Sequence, residues 1–140
     1  MTAQEYLSRY INAQREERRL ERLIARTRDR LDILGFDMSK EKIQASVGGD
    51  RFSALIAELV DFKKDLEEAR IKSVQMQREI ERVVEQVENA RQRELLSMRY
   101  LEGMPWRDVA QKMGYAYSWI FKIHRNALDE TEKVVKSQKR

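Results

Sequence analysis

Apolar residues recur at helical spacing through residues 3–34, where no helix-breaking residue interrupts them. They include Tyr6, Leu7, Tyr10, Ile11, Leu20, Leu23, Ile24, Leu31 and Leu34. Residues three and four apart lie on one face of a helix, so this spacing predicts a first helix over residues 3–34. The stretch Gln14–Arg19 is polar and interrupts the apolar face. Gly35 fits the position after the helix end, where a positive φ is needed.

A second apolar seam follows Gly48 and Gly49, with Asp50 positioned to cap the start of a helix. Eleven of its twelve positions, spaced at steps of three and four, are apolar: Phe52, Leu55, Leu59, Phe62, Leu66, Ala69, Ser73, Met76, Ile80, Val83, Val87 and Ala90. A pattern sustained over more than five heptads is typical of a coiled coil. It predicts a helix over residues 51–90, which folds back antiparallel on the first helix.

The residues between these two helices, 35–50, predict a connector with a short helical turn near Glu41–Ala45. After Ala90 the segments shorten, because Gly103, Pro105 and Gly114 divide the remainder into helices of about 91–102, 105–113 and 117–135. We therefore expect an all-α protein. Residues 1–90 would form a long antiparallel helical hairpin, the coiled-coil stalk, and residues 91–140 a C-terminal helix-turn-helix head with a basic tail.

Composition supports an all-helical chain and excludes several classes of function. Five Gly and one Pro supply too few turns for a β-sandwich, a barrel or a βαβ protein. With no Cys and a single His, the chain offers no disulfide, no thiolate zinc site and no multi-histidine metal site. It also lacks a phosphate-binding GKS/T loop and a nucleophile–base pair, so we expect neither an enzyme nor a cofactor.

The sequence lacks the features of a membrane or exported protein. It contains no run of 18 apolar residues, and its first residues lack the basic and then apolar layout of a signal peptide. We therefore expect a cytoplasmic protein with no membrane partner.

Basic charge is concentrated in the last third of the chain. Residues 91–140 carry eleven Lys or Arg and six Asp or Glu, a net charge of +5, whereas the whole chain has +4. This asymmetry favours an anionic partner for the C-terminal segment.

The two helices on either side of Gly114 have the pattern of a helix-turn-helix. Pro105 fits the first helical position. An inner face would consist of Val109, Ala110 and Met113 on one helix and of Ala116, Ile120, Ile123 and Ala127 on the next. The residues that then point away from the core are Ser118, Phe121, Lys122 and Arg125. This arrangement predicts a recognition helix over residues 118–128, whose N-terminal half would enter a DNA major groove.

These segments resemble region 4 of bacterial sigma factors, and more closely the sigma-region-4-like regulators of phages and prophages (the ArpU/RinA-type late transcription activators). The resemblance rests on R-Y-L-E-G at 99–103, W-R-D-V-A at 106–110, M-G-Y at 113–115 and S-W-I-F-K-I-H-R-N-A-L at 118–128. It implies a sequence-specific DNA-binding transcription regulator that also contacts RNA polymerase. Carried over to this chain, the residues that would contact double-stranded DNA are Tyr117, Ser118, Phe121, Lys122 and Arg125.

Other cations would anchor the DNA backbone. Arg107, Lys112 and the tail lysines are expected to contact phosphates.

Two departures from the family stand out. Met104 and Ala116 stand where the family has a Ser or Thr cap. Tyr117 and Phe121 are aromatic where sigma factors carry charged residues, so no target sequence is carried over.

Several residues have a second, purely structural interpretation. Lys122 and Arg125 would also suit a solvated face, while Tyr117 and Phe121 would also suit packing on a neighbouring helix or a partner. Trp106 and Trp119 fit the core or rim of the head, and His124 fits a structural role. The tail, residues 133–140, either adds phosphate contacts or is a frayed end.

Two other functions remain open. The small subunit of a phage DNA-packaging terminase also combines a helix-turn-helix with oligomerising helices, although there the DNA-binding unit usually comes first in the chain. An anti-sigma-type protein-binding module would dock its head on protein.

The seam of the second helix is longer than the broken stripe of the first, which predicts self-association. We expect a homodimer through the coiled coil, in which two hairpins bury their seams in a four-helix arrangement. The side chains expected to hold it are Leu59, Leu66, Met76, Ile80 and Val83.

Overall fold

A computed structural model of the chain describes residues 1–35 and 49–139, and these residues are almost entirely helical. The elements in chain order are α1 (Ala3–Ile33), α2 (Gly49–Glu85), α3 (Ala90–Leu96), a π-helical turn (Ser97–Leu101), α4 (Trp106–Met113) and α5 (Tyr117–Gln138). The expected all-α class is therefore confirmed. The helical turn expected near Glu41–Ala45 lies outside the described residues.

The first helix ends at Ile33, one residue before the predicted end, and Gly35 has the positive φ that the sequence predicts. Gly35 has a φ of +79° and donates its N–H to the carbonyl of Asp32 at 2.9 Å. At the start of α2, by contrast, Asp50 lies inside the first turn and not ahead of it. Its carboxylate there still lies near the positive end of the helix dipole.

The second helix stops at Glu85, so the expected span of 51–90 was wrong at its C-terminal end. The side chain of Asn89 caps α3 by accepting hydrogen bonds from the backbone N–H groups of Arg91 (3.0 Å) and Gln92 (3.1 Å). The Arg93 guanidinium donates to the carbonyls of Val87 (2.6 Å) and Glu88 (2.7 Å). These bonds satisfy backbone groups that an unbroken helix would have paired internally.

The chain separates into two compact units, the first comprising Met1–Ala13 and Lys72–Arg140 and the second Gln14–Ile71. The second unit has an aliphatic core from α1 and α2: Leu20, Ile24, Leu31, Leu55, Leu59 and Leu66. An exposed ion pair between Arg70 and Glu21, 3.7 Å apart, flanks this core. Such a surface pair adds little stability, so the apolar contacts hold this unit together.

The core of the first unit draws on every described helix. Its buried apolar residues are Leu7, Tyr10, Ile80, Val84, Val87, Leu95, Leu96, Met98, Tyr100, Val109, Ala110, Ile120 and Ala127. At its edge the carboxylate of Glu79 accepts hydrogen bonds from the Tyr6 hydroxyl and the Arg9 guanidinium, both at 2.8 Å. The bond from Arg9 lowers the pKa of Glu79, whereas burial raises the pKa of Tyr6 to about 12. The segments expected to form the head thus pack with the first turns of α1 and the last turns of α2.

The heptad seam of α2 faces inward, which changes the picture of self-association. Leu59, Leu66, Ile80 and Val83 are buried by the chain itself, and Met76 is partly buried. The sequence suggested that these side chains hold a dimer. Because they are covered within the chain, they are not free to do so. The large apolar side chains that α2 leaves exposed are Val60, Ile71 and Val74.

A π-helical turn, which the sequence did not indicate, links α3 to the approach of α4. Its wider winding shows in the Glu102 N–H, which donates to the carbonyl of Ser97 five residues earlier at 2.9 Å. Gly103 then reverses the chain with a φ of +71°. Among the described residues, no helix is long and apolar enough to cross a membrane.

Candidate nucleic-acid interface

A glycine turn sets the angle between α4 and α5. Gly114 has a φ of +73°, and the Tyr115 N–H reaches back to the carbonyl of Ala110 at 3.0 Å. Gly114 itself donates to Gln111 at 3.2 Å. This pair of bonds is the Schellman motif, in which a left-handed glycine ends a helix and redirects the chain. The turn expected at Gly114 is therefore confirmed.

Neither helix begins with a side-chain cap. Pro105, expected at the first helical position, is the N-cap residue of α4, with a φ of −61° and a ψ of 151°, so the helix begins one residue later than predicted. Ala116 occupies the corresponding position of α5. The first N–H groups of both helices therefore have no side-chain acceptor at the cap position.

The inner face of α5 holds the helix against the core of the first unit. Ile120 and Ala127 are fully buried, and Ile123 is partly buried. Ala116 is exposed, so its expected place in this stripe was wrong: as the N-cap residue it precedes the first turn. The stripe contains instead two polar residues that the apolar pattern missed, His124 and Thr131.

Thr131 and His124 are both hydrogen-bonded inside the core. The Thr131 hydroxyl donates to the carbonyl of Ala127 at 2.8 Å. The His124 Nε2 lies 2.6 Å from the Tyr100 hydroxyl. Burial lowers the pKa of His124 to about 4, with a contribution from the nearby Arg99, and burial raises the pKa of Tyr100 to about 12. Both groups are thus neutral at pH 7, and the pair is a structural one.

A chain of aromatic rings runs from this buried pair to the outside of α5. The Trp106 ring lies 4.5 Å from His124 and 5.6 Å from Phe121 between ring centroids. Phe121 in turn meets Tyr117 at 5.0 Å, with the two rings nearly perpendicular. The Arg99 guanidinium covers the Trp106 ring at 4.6 Å and donates to the carbonyl of Met104 at 2.9 Å. These contacts join α4 to the first two turns of α5.

The outer face of α5 carries three of the expected contact residues together. Ser118, Lys122 and Arg125 are exposed and lie opposite the buried stripe. Lys122 points its ammonium toward the Trp119 ring at 4.8 Å. Among residues 1–35 and 49–139, no carboxylate lies within ion-pairing distance of Lys122 or Arg125. This face therefore presents two uncompensated cations and a hydroxyl to solvent.

Tyr117 and Phe121 lie at the edge of the outer face that is nearer α4. Their side chains are half exposed, Tyr117 by 50% and Phe121 by 39%. Trp119 is 47% exposed at the opposite edge, so it is a rim residue, whereas Trp106 is largely covered.

The two cations expected on α4 do not share a face. Arg107 and Lys112 are both exposed, but five residues in a helix separate them by about 140°. Lys112 lines an open groove together with Arg93, Glu94 and Glu102. The carboxylates there make this groove a poorer surface for phosphate than the outer face of α5.

Residues 133–138 of the tail belong to α5, which continues to Gln138. Lys133 pairs with Glu130 at 3.1 Å and Lys136 with Glu132 at 3.0 Å along the helix surface. These ion pairs reduce the positive charge that the tail presents.

The sequence did not reveal the residues that set the geometry of this surface. Arg99, Tyr100 and His124 act through contacts between elements, and the hydrogen-bonded pair is separated by 24 residues. Only the density of aromatic residues after Pro105 hinted at a ring cluster. In the part of the chain that the structure describes, no three His, Cys, Asp or Glu side chains are placed to hold a metal ion.

Comparison with known proteins places the chain in one family. No curated protein and no solved structure matches it. A family model does match, over residues 37–132, which includes α2 to α4 and most of α5. The chain therefore belongs to the family described as "Protein of unknown function (DUF1492)".

Proposed function

We propose that this protein is a sequence-specific, double-stranded-DNA-binding transcription regulator of phage or prophage origin. In this proposal α4, the Gly114 turn and α5 form a helix-turn-helix with α5 as the recognition helix. The observation that carries the proposal is the outer face of α5, where Ser118, Lys122 and Arg125 stand exposed and no carboxylate of the described residues pairs with the two cations. The resemblance of residues 99–128 to sigma region 4 supports the same function.

The outer face has the chemistry that reads base edges in a major groove. An Arg or Lys side chain contacts the O6 and N7 acceptors of guanine, and a Ser hydroxyl donates or accepts. Arg107, exposed on the first turn of α4, suits a phosphate contact that fixes the position of the duplex. The Trp106 ring on α4 packs against Phe121 and so supports the recognition helix.

We further propose that α1 and α2 form an antiparallel hairpin and that two copies of the chain pair through it. Arg9 with Glu79 in the first unit, and Glu21 with Arg70 in the second, pair residues in opposite chain order. The exposed Val60, Ile71 and Val74 give α2 apolar surface for a second copy. Two recognition helices would then read two half-sites, and a contact with RNA polymerase completes the sigma-like role.

The first test removes the two free cations of the outer face. A binding duplex is selected from a pool of random double-stranded 20-mers, and its affinity is measured by fluorescence anisotropy. Lys122→Ala with Arg125→Ala should weaken binding by about 30-fold or more, because each base contact contributes about 1–3 kcal/mol. Thermal stability should change by no more than about 0.5 kcal/mol, as for exposed side chains.

A matched control removes the same charge elsewhere. Lys63 and Lys64 are exposed on α2 in the second unit. Lys63→Ala with Lys64→Ala should lose much less affinity for the selected duplex. Equal losses in the two double variants would reduce the interaction to nonspecific charge attraction and defeat the recognition-helix assignment.

A protein-binding function is the second candidate, favoured by the three exposed aromatic side chains Tyr117, Trp119 and Phe121. Phosphate contacts make DNA affinity fall steeply with salt concentration, whereas aromatic docking on protein depends on salt weakly. A chain that selects no duplex at low salt would favour this second function.

A further inference from the structure

The edge of α5 that faces α4 presents an apolar surface that base readout by cations does not use. Phe121 is 39% exposed and Tyr117 is 50% exposed, and their rings meet edge to face at 5.0 Å. A half-exposed aromatic pair costs free energy in water. A ligand that contacts Arg125 would lie beside this pair. It would relieve that cost if it covered the two rings with an apolar group of its own.

The Phe121 ring is held in one position by its neighbours. Trp106 lies 5.6 Å behind it, and Trp106 is fixed by His124 at 4.5 Å and by the Arg99 guanidinium at 4.6 Å. A ring supported in this way loses little freedom when it contacts a ligand. It is a rigid apolar contact surface.

Phe121 and Arg125 lie four residues apart, so they are neighbours on the helix surface. Arg125 is the cation suited to guanine, whose major-groove edge carries two acceptors. The apolar group that the major groove displays is the C5-methyl of thymine. A helix that carries both side chains would meet a methyl group and a pair of acceptors on adjacent base pairs.

We infer that Phe121, supported by Tyr117, recognises a thymine C5-methyl group beside the base pair that Arg125 contacts. This inference rests on the proposed DNA-binding function and names the base chemistry that the recognition helix selects. Trp119, at the other edge of α5 and engaged with Lys122, lies outside this contact.

The test removes one methyl group at a time from the DNA. Each thymine of the selected duplex is replaced in turn by 2′-deoxyuridine, which changes nothing except the C5-methyl group. At one or two positions the wild-type protein should bind about fourfold more weakly, which is the effect of one buried methyl group. With Phe121→Ala, the thymine and deoxyuridine duplexes should bind equally.

Two further variants separate the ring from general effects. Phe121→Leu keeps an apolar side chain and should keep part of the methyl preference. Trp119→Ala removes a ring from the opposite edge and should keep the full thymine-to-deoxyuridine ratio.

Each outcome decides the inference. Wild-type protein that binds all the deoxyuridine duplexes equally would overturn it while leaving DNA binding intact. A methyl preference that survives Phe121→Ala would assign the contact to another side chain. A chain that selects no duplex from the random pool would overturn the inference and the proposed function together.

Discussion

At the scale of single residues, His124, the chain's one histidine, packs in the core of the first unit. It is buried, lies 2.6 Å from the Tyr100 hydroxyl and contacts the Trp106 ring edge to face. Its low pKa keeps it uncharged, which suits a position beside the Arg99 guanidinium. The residue thus links the π-helical turn, α4 and α5.

This burial gives the stability of the first unit a dependence on pH. The pKa of His124 is about 4 in the folded chain, whereas an imidazole in the unfolded chain has a pKa of about 6.5. Between these values the unfolded chain binds a proton that the folded chain excludes. The contribution of the neutral His124 to the free energy of unfolding is therefore fully present above about pH 6.5. The free energy of unfolding should fall by about 1–2 kcal/mol between pH 7 and pH 5.

Thermal unfolding followed by tryptophan fluorescence measures this effect, because both tryptophans lie in the first unit. His124→Gln cannot titrate and keeps a hydrogen-bonding group near Tyr100, so its melting temperature should not change over the same range. Most carboxylates titrate below this pH range, and the chain has no other histidine. A wild-type melting temperature that is constant from pH 7 to pH 5 would contradict the burial of His124.

At the scale of elements, the sequence predicts what local rules control. Helical spacing located the α2 seam and the buried Ile120 and Ala127, and Gly114 marked the turn before α5. The break after Glu85 escaped because the apolar seam continues through Val87 while no Gly or Pro intervenes. That break is made by the Asn89 cap and by the Arg93 guanidinium, whose hydrogen bonds span two to six residues and leave no mark on the spacing of apolar residues.

The candidate site divides in the same way. Spacing alone predicted that Ser118, Lys122 and Arg125 are exposed, because residues opposite an apolar stripe face solvent. The support behind them was not predictable from spacing, since Tyr100 and His124 lie on different elements and are 24 residues apart.

Two neighbouring isoleucines of α5 test the orientation of this helix. Ile120 is fully buried, so Ile120→Ala should lower the free energy of unfolding by about 2–5 kcal/mol. Ile123 is only partly buried, so Ile123→Ala should cost clearly less. Urea titration followed by circular dichroism compares the two variants. A larger cost at Ile123 would mean that α5 is rotated about its axis.

At the scale of the whole molecule, the surplus of positive charge and the exposed aliphatic side chains of α2 belong to different segments of the chain. The net charge of +5 in residues 91–140 accompanies the helices that carry the proposed DNA contacts, whereas the exposed Val60, Ile71 and Val74 lie on α2. The proposed regulator would use the first set for DNA and the second for pairing two copies. A two-fold dimer of this kind reads inverted half-sites about one helical turn apart.

The central claim, that α5 reads DNA sequence, is tested most directly by selecting duplexes from a random pool with wild-type protein and with Arg125→Ala. Wild-type protein should enrich an inverted repeat with half-site centres roughly 10 base pairs apart. The variant should enrich the same repeat with the preference lost at one base pair in each half-site and kept at the others. No enrichment by the wild-type protein, or an identical motif from both proteins, would contradict the assignment of α5 as the recognition helix.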